Sequence, residues 1–133
     1  MAHLSIEYSA NLGNTLDMSA FCEVARRAMA ETGIFPLAGI RVRAIACDHT
    51  AIGDGSDGLA FAAMIMRMGK GRSEAARLAA LEAVYAAVEN WCKGRVNLPF
   101  ALSLEILEIN APFAEKRLNT IRPALQAKGI ENV

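Results

Sequence analysis

The sequence predicts an α/β (α+β) domain. Two strand–helix–strand units share one four-stranded sheet, and both helices lie on one face of it. Three observations carry this prediction. Apolar residues alternate at Leu4, Ile6 and Tyr8 and again at Phe100, Leu102, Leu104 and Ile106, the period of a strand with one buried face. Two intervening stretches carry apolar stripes at helical spacing, each behind a good N-cap, Asp17 or Ser73. Gly33 and Gly94 follow those stretches, where a left-handed residue commonly closes a helix. The chain length suits a single domain over residues 1–133, with halves of about 1–55 and 56–133 repeating the same element order.

The first strand begins almost at the terminus, with His3, Ser5 and Glu7 between its apolar residues. Leu16 and Phe21 flank the Asp17 cap as a hydrophobic staple, and a helix follows over about Met18 to Thr32. Its stripe is Phe21, Val24, Ala25, Ala28 and Met29. Pro36 forbids any continuation of that helix. The second strand covers about Gly39 to Cys47, and a glycine-rich loop spans Asp48 to Gly58. Strand three, Leu59 to Met68, is apolar on both faces, as a strand between two layers should be. After the turn Gly69-Lys70-Gly71-Arg72, a long helix runs from Ser73 to about Lys93, with Leu81, Val84, Tyr85, Val88, Trp91 and Cys92 on its inner face. Strand four is Phe100 to Glu108, and the tail from Asn110, with Pro112 and Pro123, is weakly patterned. Each unit should form a parallel pair with a right-handed crossover.

Hydrophobic residues make up 53% of the chain and mean hydropathy is positive, which is high for a small monomer with much surface per unit volume. Helices on one face leave the other uncovered, so self-association through the helix-free face is expected. A net charge of zero with no basic stripe argues against nucleic acid as a partner. The longest apolar run, Leu59 to Met66, is too short to span a bilayer, and no signal peptide is visible. The cysteines Cys22, Cys47 and Cys92 are odd in number and widely spaced, so they read as thiols of a reducing compartment, a cytoplasmic expectation.

The residues with chemical potential are few. Arg41 and Arg43 share one face of strand two, where two guanidinium groups suit either solvent or a carboxylate, which pairs with guanidinium in a bidentate fork. Arg72 sits just before the cap of the long helix, where backbone N–H groups also favour anions, although the glycine spacing is not that of a phosphate loop. His3 and His49 lack neighbours at metal-ligand spacing, so no metal site is expected. The remaining candidate base is the amino terminus. Its reference pKa is about 7.7–8.0, nearby arginines would lower it, and a base poised near neutrality suits proton transfer.

The stretch Thr-Gly-Ile-Phe-Pro-Leu-Ala-Gly-Ile-Arg-Val-Arg over residues 32–43 resembles the 5-carboxymethyl-2-hydroxymuconate isomerase family of the tautomerase superfamily. So do Gly69-Lys70-Gly71-Arg72-Ser73, Leu102-Ser103-Leu104-Glu105-Ile106 and Asn119-Thr120-Ile121-Arg122. The resemblance implies two β-α-β units, a homotrimer, no cofactor, and proton transfer along an unsaturated keto/enol di- or tricarboxylate in bacterial breakdown of homoprotocatechuate. It implies that Arg41 and Arg72 bind carboxylate and oxo groups, with Arg43 and Phe35 as further substrate contacts. In the family an amino-terminal proline, exposed when the initiator methionine is removed, is the general base. Here that position is Ala2, so the base would be the Ala2 amine once Met1 is removed. The alternative is an anion-binding trimer without catalysis, lacking the proline base.

Overall fold

A computed structural model describes the whole chain, Met1–Val133. The main elements are β1 (Ala2–Ser9), α1 (Met18–Glu31), β2 (Ile40–Cys47), β3 (Ala60–Gly69), α2 (Glu74–Cys92) and β4 (Phe100–Ile109), followed by a short α3 (Ile121–Gln126). The expected architecture holds. The four strands form one sheet in the order β2-β1-β3-β4. β1 runs parallel to β2 and β3 parallel to β4, while the central β1–β3 pair is antiparallel, so the two units run in opposite directions.

Local chemistry sets the helix ends. The Asp17 carboxylate accepts N–H bonds from Ser19 and Ala20 at 3.0 and 3.1 Å, and Leu16 and Phe21 are buried on either side of it. Gly33 takes φ +72° just beyond the α1 cap, a conformation that penalises any Cβ. The Ser73 hydroxyl accepts from Ala76 N–H at 3.1 Å and starts α2.

Register explains the core. Leu4 pairs with Val42 and Met66, and Ile6 with Ala44 and Met64, so these side chains share the helix-covered face. They form one core with Phe21, Ala25, Ala28 and Met29 of α1 and Ala80, Val84, Val88 and Cys92 of α2. Phe21 meets Trp91 edge to face, with ring centroids 5.7 Å apart. On α2 the stripe is rotated slightly from the expected one, because Ala80 is buried while Leu81 is only half-buried. On β3 the helix side is fully buried, whereas Phe61, Ala63 and Ile65 on the other side are half-buried and Arg67 is exposed. That second face is therefore only partly covered within one chain, as expected when both helices lie on the other face.

The tail departs most from the sequence reading. After a 3₁₀ turn at Ala111–Phe113 it runs without regular structure to Thr120, enters α3, and returns so that Leu37 N–H donates to the Asn132 carbonyl at 2.9 Å. Another 3₁₀ turn, Leu37–Gly39, precedes β2. No helix is long and apolar enough to cross a membrane.

In urea denaturation at one chain concentration, Phe21→Ala should lower stability by about 3–5 kcal/mol, because a buried aromatic ring leaves a cavity. Asp17→Ala should cost about 1 kcal/mol through the lost cap. Equal effects from both substitutions would contradict this placement of the core.

Candidate active site at the head of the first strand

Because β1 lies between β2 and β3, the amino terminus emerges in the interior of the sheet, with Ala2 paired to Ile40 on one side and Met68 on the other. Ala2 is buried, and Met1 lines a cleft of about 440 Å³. Gly39 forms part of the wall so closely that a methyl group there would lie 3.6 Å from the amine nitrogen. Arg41 and His3 line the cleft from the sheet, and Lys116, Asn119 and Arg122 line it from the tail.

The cleft is electrostatically positive, and the amine responds. Burial, then the charges of Lys116, Arg72, Arg41 and Arg122, push its pKa below the ordinary 8.0. His3 behaves in the same way. Burial and then Arg41, Arg43, Arg67 and the terminal amine hold it below 6.5, so it is neutral at pH 7. A neutral ring fits its long 3.5 Å contact, in which Arg43 Nη1 donates to Nδ1. Both groups bind protons less readily folded than unfolded. Their contribution to stability is therefore fully present above pH 8.0 for the amine and 6.5 for His3, and is lost as pH falls through the lowered folded values.

The residues expected from sequence separate into distinct roles. Arg41 is half-buried in the cleft wall, and its one intrachain hydrogen bond, to the Gly39 carbonyl, is long at 3.4 Å, so most of its donors are free. Arg72 does not line the cleft. Its Nε and Nη2 donate to the Ile34 carbonyl at 3.2 and 2.8 Å and its Nη1 to the Gly69 carbonyl at 2.9 Å. Five donors less these three bonds leave two N–H groups, and the guanidinium is held rigidly with its charge felt at the amine. Phe35 has no surface to offer a ligand, because it is completely buried. Its ring lies 5.1 Å from the Arg72 guanidinium carbon and supports that group as a cation–π partner. Arg43 is exposed on the helix-free face beside His3 and is absent from the cleft lining.

Sequence reasoning had no role for Lys116, which comes from an irregular segment, and no individual role for Asn119 or Arg122. The available signal was a cluster of cations, Lys116, Arg117 and Arg122, following a proline-marked turn. The three cysteines are unpaired, and burial pushes the Cys92 thiol up to about 11, which leaves it inert as a nucleophile.

The model of the 5-carboxymethyl-2-hydroxymuconate isomerase family matches residues 2–125. The chain is 32% identical over 120 residues to 5-carboxymethyl-2-hydroxymuconate Delta-isomerase of Escherichia coli, covering 90% of this chain and 95% of that one. Among solved structures it resembles a 5-carboxymethyl-2-hydroxymuconate delta-isomerase at 31% identity and a TM-score of 0.82, covering 95% of this chain and 93% of the other. It also resembles a 5-carboxymethyl-2-hydroxymuconate isomerase from Deinococcus radiodurans R1 at 28% identity and a TM-score of 0.82, with 92% of each chain covered.

Labelling of the Met1 amine by an acylating reagent, followed by mass spectrometry across pH, should show a midpoint below 8.0. Lys116→Ala should move that midpoint upward, since removing a cation eases protonation. A midpoint at 8.0 or above in the unsubstituted protein would show that neither burial nor the field of the cleft acts on the amine.

Proposed function

The chain belongs to the 5-carboxymethyl-2-hydroxymuconate isomerase family, and from that premise we propose that it is a cofactor-independent isomerase of aromatic catabolism. Its substrate is an unsaturated 2-hydroxymuconate-type di- or tricarboxylate, and its working form is a homotrimer. The observation that carries this reading is a free amine of lowered pKa held at the head of an interior strand, in a cleft lined by Arg41.

In the mechanism we propose, the unprotonated amine takes the proton of the enol hydroxyl. The C–O bond becomes a carbonyl, the electron pair of the diene moves along the chain, and the far carbon accepts a proton back from the ammonium. No atom is gained or lost. Arg41 holds a carboxylate through its free donors, and the fixed charge of Arg72 stabilises the developing oxyanion without rearrangement during the reaction. Phe35 acts through Arg72 as a positioning residue. Arg43 and His3 add positive and neutral surface respectively on the adjoining sheet face.

The base in this reading is the amine at the head of β1, whether that of Met1 or, after its removal, that of Ala2. A primary amine with an unperturbed pKa near 7.8 is free base to only roughly a seventh at pH 7. Burial and four cations act in the direction that raises this share, which partly offsets the missing proline. The half-buried apolar residues on the helix-free side of β3 support assembly through that face. The unpaired thiols fit a reducing cytoplasm.

Ketonisation of 2-hydroxymuconate, followed by ultraviolet absorbance, should exceed the buffer rate. Its kcat/KM should rise with pH through a midpoint below 8.0, and Arg41→Ala should reduce it by roughly a hundredfold. Ala2→Pro, with methionine removal verified by intact mass, should increase kcat. A rate equal to buffer in a protein that sediments as a trimer would leave the anion-binding alternative standing.

A further inference from the structure

The isomerase reading employs the amine, Arg41 and Arg72, but it assigns nothing to the cations that the tail brings into the same cleft. From the turn at Ala111–Phe113 into the first turn of α3, the chain forms a strap that lines the cleft at the head of β1. Asn119 fastens the strap. Its Nδ2 donates to the Ala38 carbonyl at 3.3 Å, and its Oδ1 accepts from the backbone N–H groups of Ile121 and Arg122 at 3.0 and 3.3 Å. Lys116 and Arg122 flank that anchor in sequence and both line the cleft, as Arg41 does from β2.

Neither cation is neutralised by the chain. Glu115 is the acid of the cleft lining, but its Oε2 pairs with Arg117 Nε at 3.1 Å and its Oε1 accepts the backbone N–H of Lys116 at 2.9 Å. Lys116, Arg122 and Arg41 form no intrachain ion pair. Cations lining one concave space repel one another and focus a field that an anion relieves. Their number and placement are informative. One carboxylate saturates the fork of one arginine, which Arg41 supplies alone, and the strap supplies two further cations from a separate element.

We propose that Lys116 and Arg122 form a second carboxylate site, so that the cleft selects acids carrying a carboxylate at each end of a short unsaturated chain. The inference rests on the isomerase reading for the identity of the reacting centre, but binding tests it independently of turnover. The strap is thus the specificity element. It measures the charge at the far end of the ligand while the sheet holds the end that reacts.

The test compares two unreactive six-carbon acids by isothermal titration calorimetry at fixed ionic strength: trans,trans-muconate, with two carboxylates, and sorbate, with one. The unsubstituted protein should bind muconate at least roughly tenfold more tightly. Lys116→Gln and Arg122→Gln should each remove most of that preference and leave sorbate affinity within about twofold, since only the second carboxylate loses its partner. Lys116→Arg, which keeps the charge, should restore the preference. Because both side chains are exposed, the variants should melt close to the unsubstituted protein, and the binding comparison does not depend on a damaged fold. Equal losses for both acids, or no change in the ratio, would overturn the proposal. Strap-dependent muconate binding without dienol ketonisation would sustain the second site and sink the isomerase reading. Ketonisation with no preference for muconate over sorbate would do the reverse.

Discussion

The chain begins in the interior of its own sheet, and the rest of the arrangement depends on that constraint. A terminus on an edge strand would be solvated and would titrate as an ordinary amine. Here the head of β1 is enclosed by β2 and β3, with Ala2 buried between Ile40 and Met68. Desolvation is accordingly the first cause of the lowered amine pKa, and the cations are secondary to it. The same placement turns the ends of the neighbouring elements toward one another. Gly39 and Arg41 arrive from the start of β2, and Gly69 from the end of β3. Arg72 follows β3 closely, and the tail crosses above.

The two arginines that the sequence marks out make different use of the same functional group. Arg41 keeps its donors available, and a ligand can compete for them at little expense. Arg72 gives three of its bonds to backbone carbonyls and rests on the Phe35 ring, so its value lies in a charge that does not move. The shared motif around residues 32–43 thus builds both a ligand contact and the support beneath a fixed cation: Ile34 supplies the carbonyl, Phe35 the ring, Gly39 the wall and Arg41 the fork.

Most of the fold was legible because its determinants are local and periodic. Asp17, Gly33 and Ser73 act at single positions, and the alternation in β1 and β4 survives in the observed burial. The antiparallel β1–β3 pairing had no local signature, since strand order depends on how two completed units meet. The burial of Phe35 was not legible in its motif, because a run of residues does not show which of them face water. Lys116 escaped notice because an irregular strap has no period to read, and its relevance arises only when the chain folds back over residue 1.

The opposed direction of the two units has one further consequence. Ala60 opens β3 as Ala2 opens β1, and it pairs with the first residue of β4 as Ala2 pairs with the first residue of β2. Yet the Ala60 nitrogen is an amide, bonded to the Pro99 carbonyl at 2.9 Å, and it has no basicity to lend. A scaffold with two similar corners therefore carries its free amine at only one of them. Valence dictates the asymmetry: a polypeptide has a single amino end, so the far corner, where the Ala60 N–H is committed to the Pro99 carbonyl, has no amine to offer a proton.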